Sequence, residues 1–366
     1  MLLASALLLL APMKWTAATR GTLAAISAAP GWHEIPNTKL RPLCNLDAPW
    51  QGTTGCQALI SAWNGGIADT ARDRLIFFGG GHFDYYGNEM YALEMGDASL
   101  HRLTEPSPIT NLATCPEAYV DDTPAARHTY NGLTYVVSMN SIYLFGGAKS
   151  PCGQMSNATW TFDLGSSKWA RHTPRGTIPA ATPGVMADYD PVTDEVFVMD
   201  TQGIFSYDPR ADLYVKLKSY YGVDYHLTGI VDPVRRDFVM AGGDAQFWSI
   251  DIRMKSKYEL IDLAARQHGC GGLIHAAYPG LAYDAKAKAV IGWAGGNDIY
   301  VVRPESGSCD VISYPDGPGI AQANGTMGRF RYFPNLDVFV VVNDWDQNAF
   351  VLRLAPADTD LGGRKP

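Results

Sequence analysis

The chain has 366 residues, a formal net charge of −8, and 46% hydrophobic against 18% charged residues. This composition is too apolar for a disordered chain, and the acidic balance argues against a nucleic-acid partner. The 37 glycines, 23 prolines and 19 tyrosines favour many short strands joined by turns, so we expect an all-β protein with a sizeable core.

The N-terminus resembles a secretory leader. The run MLLASALLLLAP is short and apolar, and the small residues Ser27, Ala28 and Ala29 suit cleavage, although no basic residues precede the run. We therefore predict a leader over residues 1–29 and a secreted or periplasmic protein. No other stretch is long and apolar enough to predict a membrane span, so no membrane partner is expected.

A repeated pattern of strand, tight polar turn and apolar strand organises the rest of the chain. The second strand is continuously apolar, as expected for a strand buried on both faces. Two of the turns contain Asp-Pro, in which proline presets φ and aspartate binds nearby backbone. The copies cover residues 68–81, 134–147, 187–200, 230–243, 282–296 and 331–344.

Two further strands follow most copies, so a four-stranded unit recurs roughly every 40–70 residues. This spacing, with Gly-Gly pairs followed by aromatic residues, predicts a β-propeller of six kelch-like blades. Seven blades is the alternative, if the segment 106–127 contains strands. We predict one domain over residues 30–357 and a tail over residues 358–366.

The last repeat lacks an outer strand, whereas residues 31–40 look like an outer strand without a blade. Pairing of residues 31–40 with residues 337–355 would close the ring and leave no open sheet edge.

One face of the predicted ring should collect the loops between second and third strands and the links between blades. Five of the eight histidines fall on this face: His82, His128, His226, His268 and His275. Alignment of the inner strands then places a ring of residues at the mouth of the central channel: Trp63, Tyr130, Gly184, His226, Tyr278 and Met327.

The loop GGGHFDYYGNE is expected to fold towards the channel, because its glycines tolerate unusual backbone angles. His82, Tyr85 and Tyr86 would then face the other aromatic residues and the arginines across the mouth. The alternative is that Tyr85 and Tyr86 only pack the loop while Asn88 and Glu89 cap turns.

Histidine, tyrosine and arginine at one mouth suit β-elimination from a uronic acid. The reaction needs a donor or cation for the substrate carboxylate, a base for the C5 proton and an acid for the leaving oxygen. Arg329 or Arg331 could hold the substrate carboxylate through two parallel hydrogen bonds. The candidate catalytic residues are His82, His128, Tyr130, Tyr225, Arg329 and Arg331. The candidate substrate-binding residues are Trp63, Tyr85, Asn88, Tyr278 and Trp345.

Two other functions stay open. Glycoside hydrolysis needs two facing carboxylates, and this face offers several, including Asp84 and Asp224. A propeller that binds a glycan or a protein without catalysis is the other alternative. For the leading prediction, the partner is an anionic polysaccharide and the protein is expected to act as a monomer.

Six cysteines fit an exported protein with disulfides. Cys44 and Cys56 flank one loop and could pair, and Cys115 and Cys152 lie in loops that should be neighbours.

Two interpretations remain for Cys270 and Cys309. The spacing His268-x-Cys270, followed by His275, suits a structural zinc ion, with His226 of the preceding blade as the fourth ligand. A disulfide between Cys270 and Cys309 is the alternative. No organic cofactor is expected.

The propeller pattern and these histidines resemble a known family, the propeller polysaccharide lyases that cleave ulvan, a rhamnose–uronate polymer. In that family the ring carries two active-site histidines, a tyrosine and an arginine, and a structural zinc ion held by histidines and a cysteine. The resemblance implies that His82 and His128 are the histidine pair. It also implies that the His268-x-Cys270 and His275 cluster is the zinc site.

Overall fold

The structure is a computed structural model that describes residues 23, 25–44, 46–47, 49–109, 112–253, 257–264, 269–305 and 308–356. The described residues form six antiparallel blades around a central channel, which confirms the predicted six-bladed β-propeller. The innermost strands of successive blades contact one another around the full ring.

The strands are numbered in chain order, and β1 (Gly31–Ile35) belongs to the last blade. Blade 1 contains β2 (Gly66–Asp69), β3 (Arg74–Phe78), β4 (Met90–Glu94) and β5 (Ser99–Arg102). A two-stranded ribbon, β6 (Arg127–His128) with β9 (Ala148–Lys149), accompanies blade 2. Blade 2 itself contains β7 (Leu133–Val136), β8 (Ser141–Phe145), β10 (Thr159–Asp163) and β11 (Lys168–Arg171).

The remaining blades repeat this order from the channel outwards. Blade 3 contains β13 (Met186–Asp190), β14 (Glu195–Asp200), β15 (Gly203–Asp208) and β16 (Leu213–Ser219), with β12 (Arg175–Gly176) added at its outer edge. Blade 4 contains β17 (Leu227–Asp232), β18 (Asp237–Gly242), β19 (Gln246–Asp251) and β20 (Leu260–Asp262). Blade 5 contains β21 (Gly280–Asp284), β22 (Ala289–Trp293), β23 (Asp298–Arg303) and β24 (Ser308–Ser313). Blade 6 contains β25 (Phe330–Phe333), β26 (Val338–Val341) and β27 (Ala349–Arg353), and β1 completes it.

Short single-turn helices connect the strands, with α-helices at Ala58–Ser61 and Gly271–Ile274 and 3₁₀ turns at Arg41–Leu43, Val137–Met139 and Met327–Arg329. Among the described residues, no helix is long and apolar enough to cross a membrane.

The predicted ring closure is confirmed. β1 pairs antiparallel with β27, from Gly31 opposite Arg353 to Ile35 opposite Ala349. Trp32 of β1 is buried, and its ring centroid lies 6.2 Å from that of Trp293 in blade 5. The N-terminal strand therefore covers the edge of blade 6 and packs against the neighbouring blade.

A seventh blade is not present in the described structure. Within the described residues of segment 106–127, the chain forms an isolated bridge between Ala118 and Pro124 and reaches β6 at Arg127. This segment is a long link across the face that was predicted to collect the histidines, so the alternative count of seven blades is wrong.

The hairpins that join first to second strands share one construction. Each has a residue with φ between +49° and +62° at the same position: Asp73, Asn140, Asp194, Arg236, Lys288 and Asp337. In three of these turns an aspartate (Asp190, Asp232 or Asp284) accepts a hydrogen bond from the backbone N–H two residues on, at 2.8–3.1 Å. The predicted role of aspartate in these turns is confirmed.

All six cysteines form disulfides, and the two predicted pairs, Cys44–Cys56 and Cys115–Cys152, are both present. The third bond joins Cys270 to Cys309. The structure describes only residues 23 and 25–29 of the predicted leader, and the predicted tail lies outside the described residues. Ser27 is buried, and its carbonyl oxygen accepts a hydrogen bond from Arg353 Nε at 2.6 Å.

Candidate functional site

A cavity of about 340 Å³ lies at the mouth of the channel, on the face predicted to be rich in histidine. Such a volume is at the lower end of the range for small-ligand sites. The lining residues are Trp63, His82, His128, Tyr130, Ala148, Gly153, Met155, Pro183, Tyr225, His226 and Tyr278. Seven of the predicted site residues therefore meet in one place.

Residues at the entrances of the inner strands form the floor of this cavity. Tyr130, Tyr278 and Met327 cluster there, and each has φ of +48° or +49°. Tyr130 N–H donates to Trp63 O at 2.8 Å, and Tyr278 N–H donates to His226 O at 2.7 Å. A left-handed backbone in such bulky residues costs of order 1–3 kcal/mol each and persists where surrounding contacts enforce it. Gly184, at the equivalent entrance of blade 3, also has a positive φ, so this conformation belongs to the construction of the blade entrances and sets where their side chains lie.

His128 and Asp84 form a hydrogen-bonded pair at the cavity. His128 Nε2 lies 2.9 Å from Asp84 Oδ2, and Thr54 Oγ1 donates to the other carboxylate oxygen. The hydrogen bond from His128 holds the pKa of Asp84 below its usual range, so the carboxylate is ionised. An ionised carboxylate only accepts, so Nε2 carries the proton and Nδ1 is the nitrogen able to take one up.

Burial decides the protonation of His128. Only 2% of the residue is exposed, and this desolvation lowers the pKa of its imidazole, although Asp84 opposes the effect. His128 is therefore neutral at pH 7 and can act as a general base.

His82 lies beside this pair. Its ring centroid is 5.8 Å from that of His128, and its φ of +48° turns the glycine-rich loop inward. The expectation that this loop brings His82 to the mouth is confirmed. His82 is half-buried and lines the cavity, so a ligand in the cavity can contact it.

A second histidine–aspartate pair lies across the cavity. His226 Nδ1 lies 2.6 Å from Asp224 Oδ1, and the ring of Tyr225 packs on the imidazole with a centroid distance of 3.8 Å. Asp224 engages Nδ1, which leaves Nε2 of His226 for other partners.

The two floor tyrosines supply hydroxyl donors. Burial raises the pKa of Tyr130 to about 12 and also raises that of Tyr278, so both phenols stay protonated at neutral pH. The Tyr278 hydroxyl is buried and has no hydrogen-bond partner among the described residues. A buried donor without a partner is costly, so this hydroxyl is suited to bind a ligand.

Arg329 does not reach the cavity. Its guanidinium is fully buried and donates to three backbone carbonyls, those of Asn64 at 3.0 Å, Val342 at 2.7 Å and Gly325. It joins blade 6 to the entrance of blade 1. The expectation that Arg329 is a carboxylate clamp needs correction, because its donors are used inside the protein.

Arg331 lies at the opposite end of the channel. It lines a separate cavity of about 320 Å³, together with Asp188 and Tyr332, and it donates to Gly66 O and Gly328 O. Arg331 lies within strand β25, further along the channel than the strand entrance at Arg329. Its side chain is therefore too far from the histidine-rich mouth to reach a ligand there. Its predicted role at that mouth is corrected accordingly.

Three predicted substrate-binding residues have structural roles instead. Tyr85 is buried and donates to Glu89 Oε1 at 2.5 Å. Asn88 is buried and donates to Ser107 Oγ, Thr123 Oγ1 and Pro124 O. The alternative given for this loop holds for Tyr85, which bonds within the loop, whereas Asn88 fastens the loop to the long link between blades 1 and 2.

Trp345 is also outside the cavity. It packs against the core beneath blade 6, and the Arg41 guanidinium lies 5.2 Å from its ring centroid.

The described residues do not fit the zinc ion that the family resemblance implies. Cys270 is oxidised to a disulfide with Cys309, so it offers no thiolate. His275 is exposed, His226 is engaged by Asp224, and His268 lies outside the described residues. In the described part of the chain, no group of three potential ligands converges.

The physical reason for this disulfide is the path of the link before blade 5. Cys270 is fully buried between blades 4 and 5, where Gly269 runs beside Cys309 of the outer strand β24. The link therefore crosses the outer edge of blade 5 before it turns inward.

The sequence pattern places Asp84 and Asp224 on this face but does not pair them with histidines, and it does not assign Gly153 or Met155 to the site. Both aspartates are two residues from a cavity histidine in the chain, in the patterns His82-x-Asp84 and Asp224-x-His226. For the Asp224–His226 pair that spacing was the available sign, because a loop turn can bring such neighbours together. Asp84 instead pairs with His128, 44 residues away in the chain, which the spacing does not indicate. Gly153 and Met155 come from blade 2 through tertiary packing, which no local pattern indicates.

No family model matches this chain, and no curated protein matches it significantly.

Proposed function

We propose that this protein is a secreted polysaccharide lyase that cleaves a uronate-containing polymer by β-elimination at the channel mouth. The observation that carries the proposal is the His128–Asp84 pair in an aromatic-lined cavity, with His82 beside it. The histidine pair resembles that of the propeller lyases that cleave ulvan, and a kelch-like ring accords with the same family.

His128 is the proposed base. Its Nδ1 would take the C5 proton of the uronate, while Asp84 holds the ring and stabilises the imidazolium that forms. The lowered pKa of His128 supports this role, because the imidazole is neutral when the substrate arrives.

A floor tyrosine is the proposed acid. Tyr130 and Tyr278 stay protonated, so a phenol can give its proton to the leaving glycosidic oxygen. Tyr130 is nearer to the base, with its ring centroid 6.4 Å from that of His128. Tyr225 is the most exposed of the three cavity tyrosines. It is therefore better suited to pack against a sugar ring than to act as the acid.

The substrate carboxylate would be held by N–H and O–H donors. None of the lining residues described is an arginine or a lysine. The partners proposed here are His82, His226 and the Tyr278 hydroxyl. Preorganised donors of this kind stabilise charge that develops in the transition state.

A glycan-binding propeller without catalysis is the second candidate. The aromatic walls from Trp63, Tyr130, Tyr225 and Tyr278, without a fixed cation, favour it, because sugar rings stack on such surfaces. Glycoside hydrolysis has less support, because none of the lining residues described is a carboxylate and each nearby aspartate is bound to a histidine.

The test is incubation of the purified protein with a panel of uronate-containing polysaccharides. Elimination yields an unsaturated product that absorbs near about 235 nm, because the reaction creates a conjugated double bond. Appearance of this product supports the lyase. Binding of a polymer without product would favour the second candidate, and new reducing ends without absorbance would favour hydrolysis.

A further inference from the structure

One segment of blade 2, residues 148–155, holds both histidines of the cavity. Ala148 of β9 pairs with His128 of β6 in the antiparallel ribbon. The carbonyl oxygen of the same Ala148 accepts a hydrogen bond from the backbone N–H of His82, at 3.3 Å. The segment then turns back under the His82 ring and contributes Gly153 and Met155 to the cavity wall.

Gly153 lies directly against the imidazole of His82. A Cβ atom at this glycine would be 2.0 Å from His82 Cδ2 and 2.3 Å from Nε2, far inside van der Waals contact. Its φ of +74° is also a conformation that side chains rarely adopt. The position of the ring thus depends on the absence of a side chain here.

The segment is fastened to the long link between blades 1 and 2. Cys152, next to Gly153, forms the disulfide with Cys115 of that link. Lys149 lies 3.4 Å from Glu117 of the link, and Gly153 N–H donates to Lys149 O at 2.8 Å. These contacts fix the backbone on which the His82 ring rests.

We infer that Gly153 is a positioning residue that sets the ring of His82, and that the Cys115–Cys152 disulfide holds Gly153 in place. The catalytic consequence rests on the proposed lyase function, whereas the position of the ring does not. A methyl group at residue 153 would displace the imidazole from its present position beside His128. A displacement of about 1 Å at a reacting group can cost 10²-fold in rate.

The test compares Gly153→Ala with Gly222→Ala. Gly222 has a similar φ of +76°, but nothing lies within 4 Å of a Cβ built there, so the control reproduces the backbone strain without the clash. The Cys115→Ala/Cys152→Ala double variant tests the tether separately. The first measurement is the NMR chemical shift of the His82 Cε1–H, assigned by its loss in His82→Gln.

We expect the His82 resonance to move in Gly153→Ala and to broaden or move in the double variant, and to stay in place in Gly222→Ala. Melting temperatures of the two glycine variants should fall by similar amounts. On a cleaved substrate, kcat of Gly153→Ala should fall about 10²-fold, with a smaller change in KM.

An unchanged His82 resonance in folded Gly153→Ala would overturn the inference. If Gly153→Ala does not fold, an unchanged resonance in the double variant would overturn it equally. A shifted resonance in a protein that cleaves no polymer would support the positioning role and end the lyase proposal.

Discussion

Replacement of Arg329 by methionine distinguishes a structural arginine from a catalytic one. The guanidinium is 0% exposed and satisfies the backbone carbonyls of Asn64, Val342 and Gly325, at the join between blades 6 and 1. Burial lowers its pKa to about 9, which still leaves it charged at neutral pH. Methionine keeps much of the volume but donates no hydrogen bond.

The expected cost follows from the three carbonyls. Each buried acceptor left without a donor costs about 1–3 kcal/mol, and relief of the buried charge offsets part of the sum. We expect a loss on the order of 3–5 kcal/mol, a large share of the roughly 5–15 kcal/mol that stabilises a typical domain. Because the ring closes at this join, the substitution should lower the stability of the whole propeller and not of one blade alone.

The assay is equilibrium unfolding in urea, followed by tryptophan fluorescence. Arg253→Met is the control, because its side chain is 59% exposed and pairs with Asp251 at the surface. The control should change the unfolding free energy by less than about 0.5 kcal/mol. If Arg329→Met unfolds like the wild type but loses turnover, Arg329 is a functional residue after all and the structural account of it is wrong.

Four further predictions concern the site and the ring. Because burial lowers the pKa of His128, the acid limb of the kcat/KM profile should lie below the ordinary histidine value of 6.5. Asp84→Asn removes the contact that raises the pKa of His128, so the acid limb of the kcat/KM profile should move to still lower pH, and the rate should fall about 10²-fold. An acid limb that moves to higher pH would refute the pairing of His128 with Asp84. Tyr278→Phe should leave the unfolding free energy within about 0.5 kcal/mol, because the lost hydroxyl has no described partner, yet it should weaken ligand binding measured by calorimetry. Deletion of residues 31–40 should uncover β27 and cause aggregation detectable by light scattering, and a monodisperse product would contradict the closure.

The fold was predictable because its cues are local and repeated. Tight polar turns and continuously apolar second strands recur along the chain. The last repeat lacks an outer strand and the N-terminal strand lacks a blade, which implies a single closure. Alignment of the inner strands correctly placed Trp63, Tyr130, His226 and Tyr278 at one mouth, because strand position within a blade fixes height along the channel.

The direction and partners of individual side chains were not predictable in the same way. Arg329 falls close to the mouth in the alignment, but whether its guanidinium faces the cavity or the backbone depends on blades that are far apart in the chain. The same limit applies to Tyr85 and Asn88, whose partners lie in their own loop and in the long link. The Cys270–Cys309 disulfide was only the alternative to the predicted zinc site. It depends on the path of the link before blade 5, which the turn residues around Cys309 do not reveal.

The most direct test of the proposed function is the rate of unsaturated product formation by His128→Ala on a uronate polymer that the wild type cleaves. His101→Ala is the matched control, because this histidine lies in the outer strand β5, away from the cavity. We predict that His128→Ala loses about 10²–10⁴-fold in kcat with its melting temperature retained, whereas His101→Ala keeps full activity. A folded His128→Ala variant with wild-type turnover would show that His128 is not the base and would contradict the proposed mechanism.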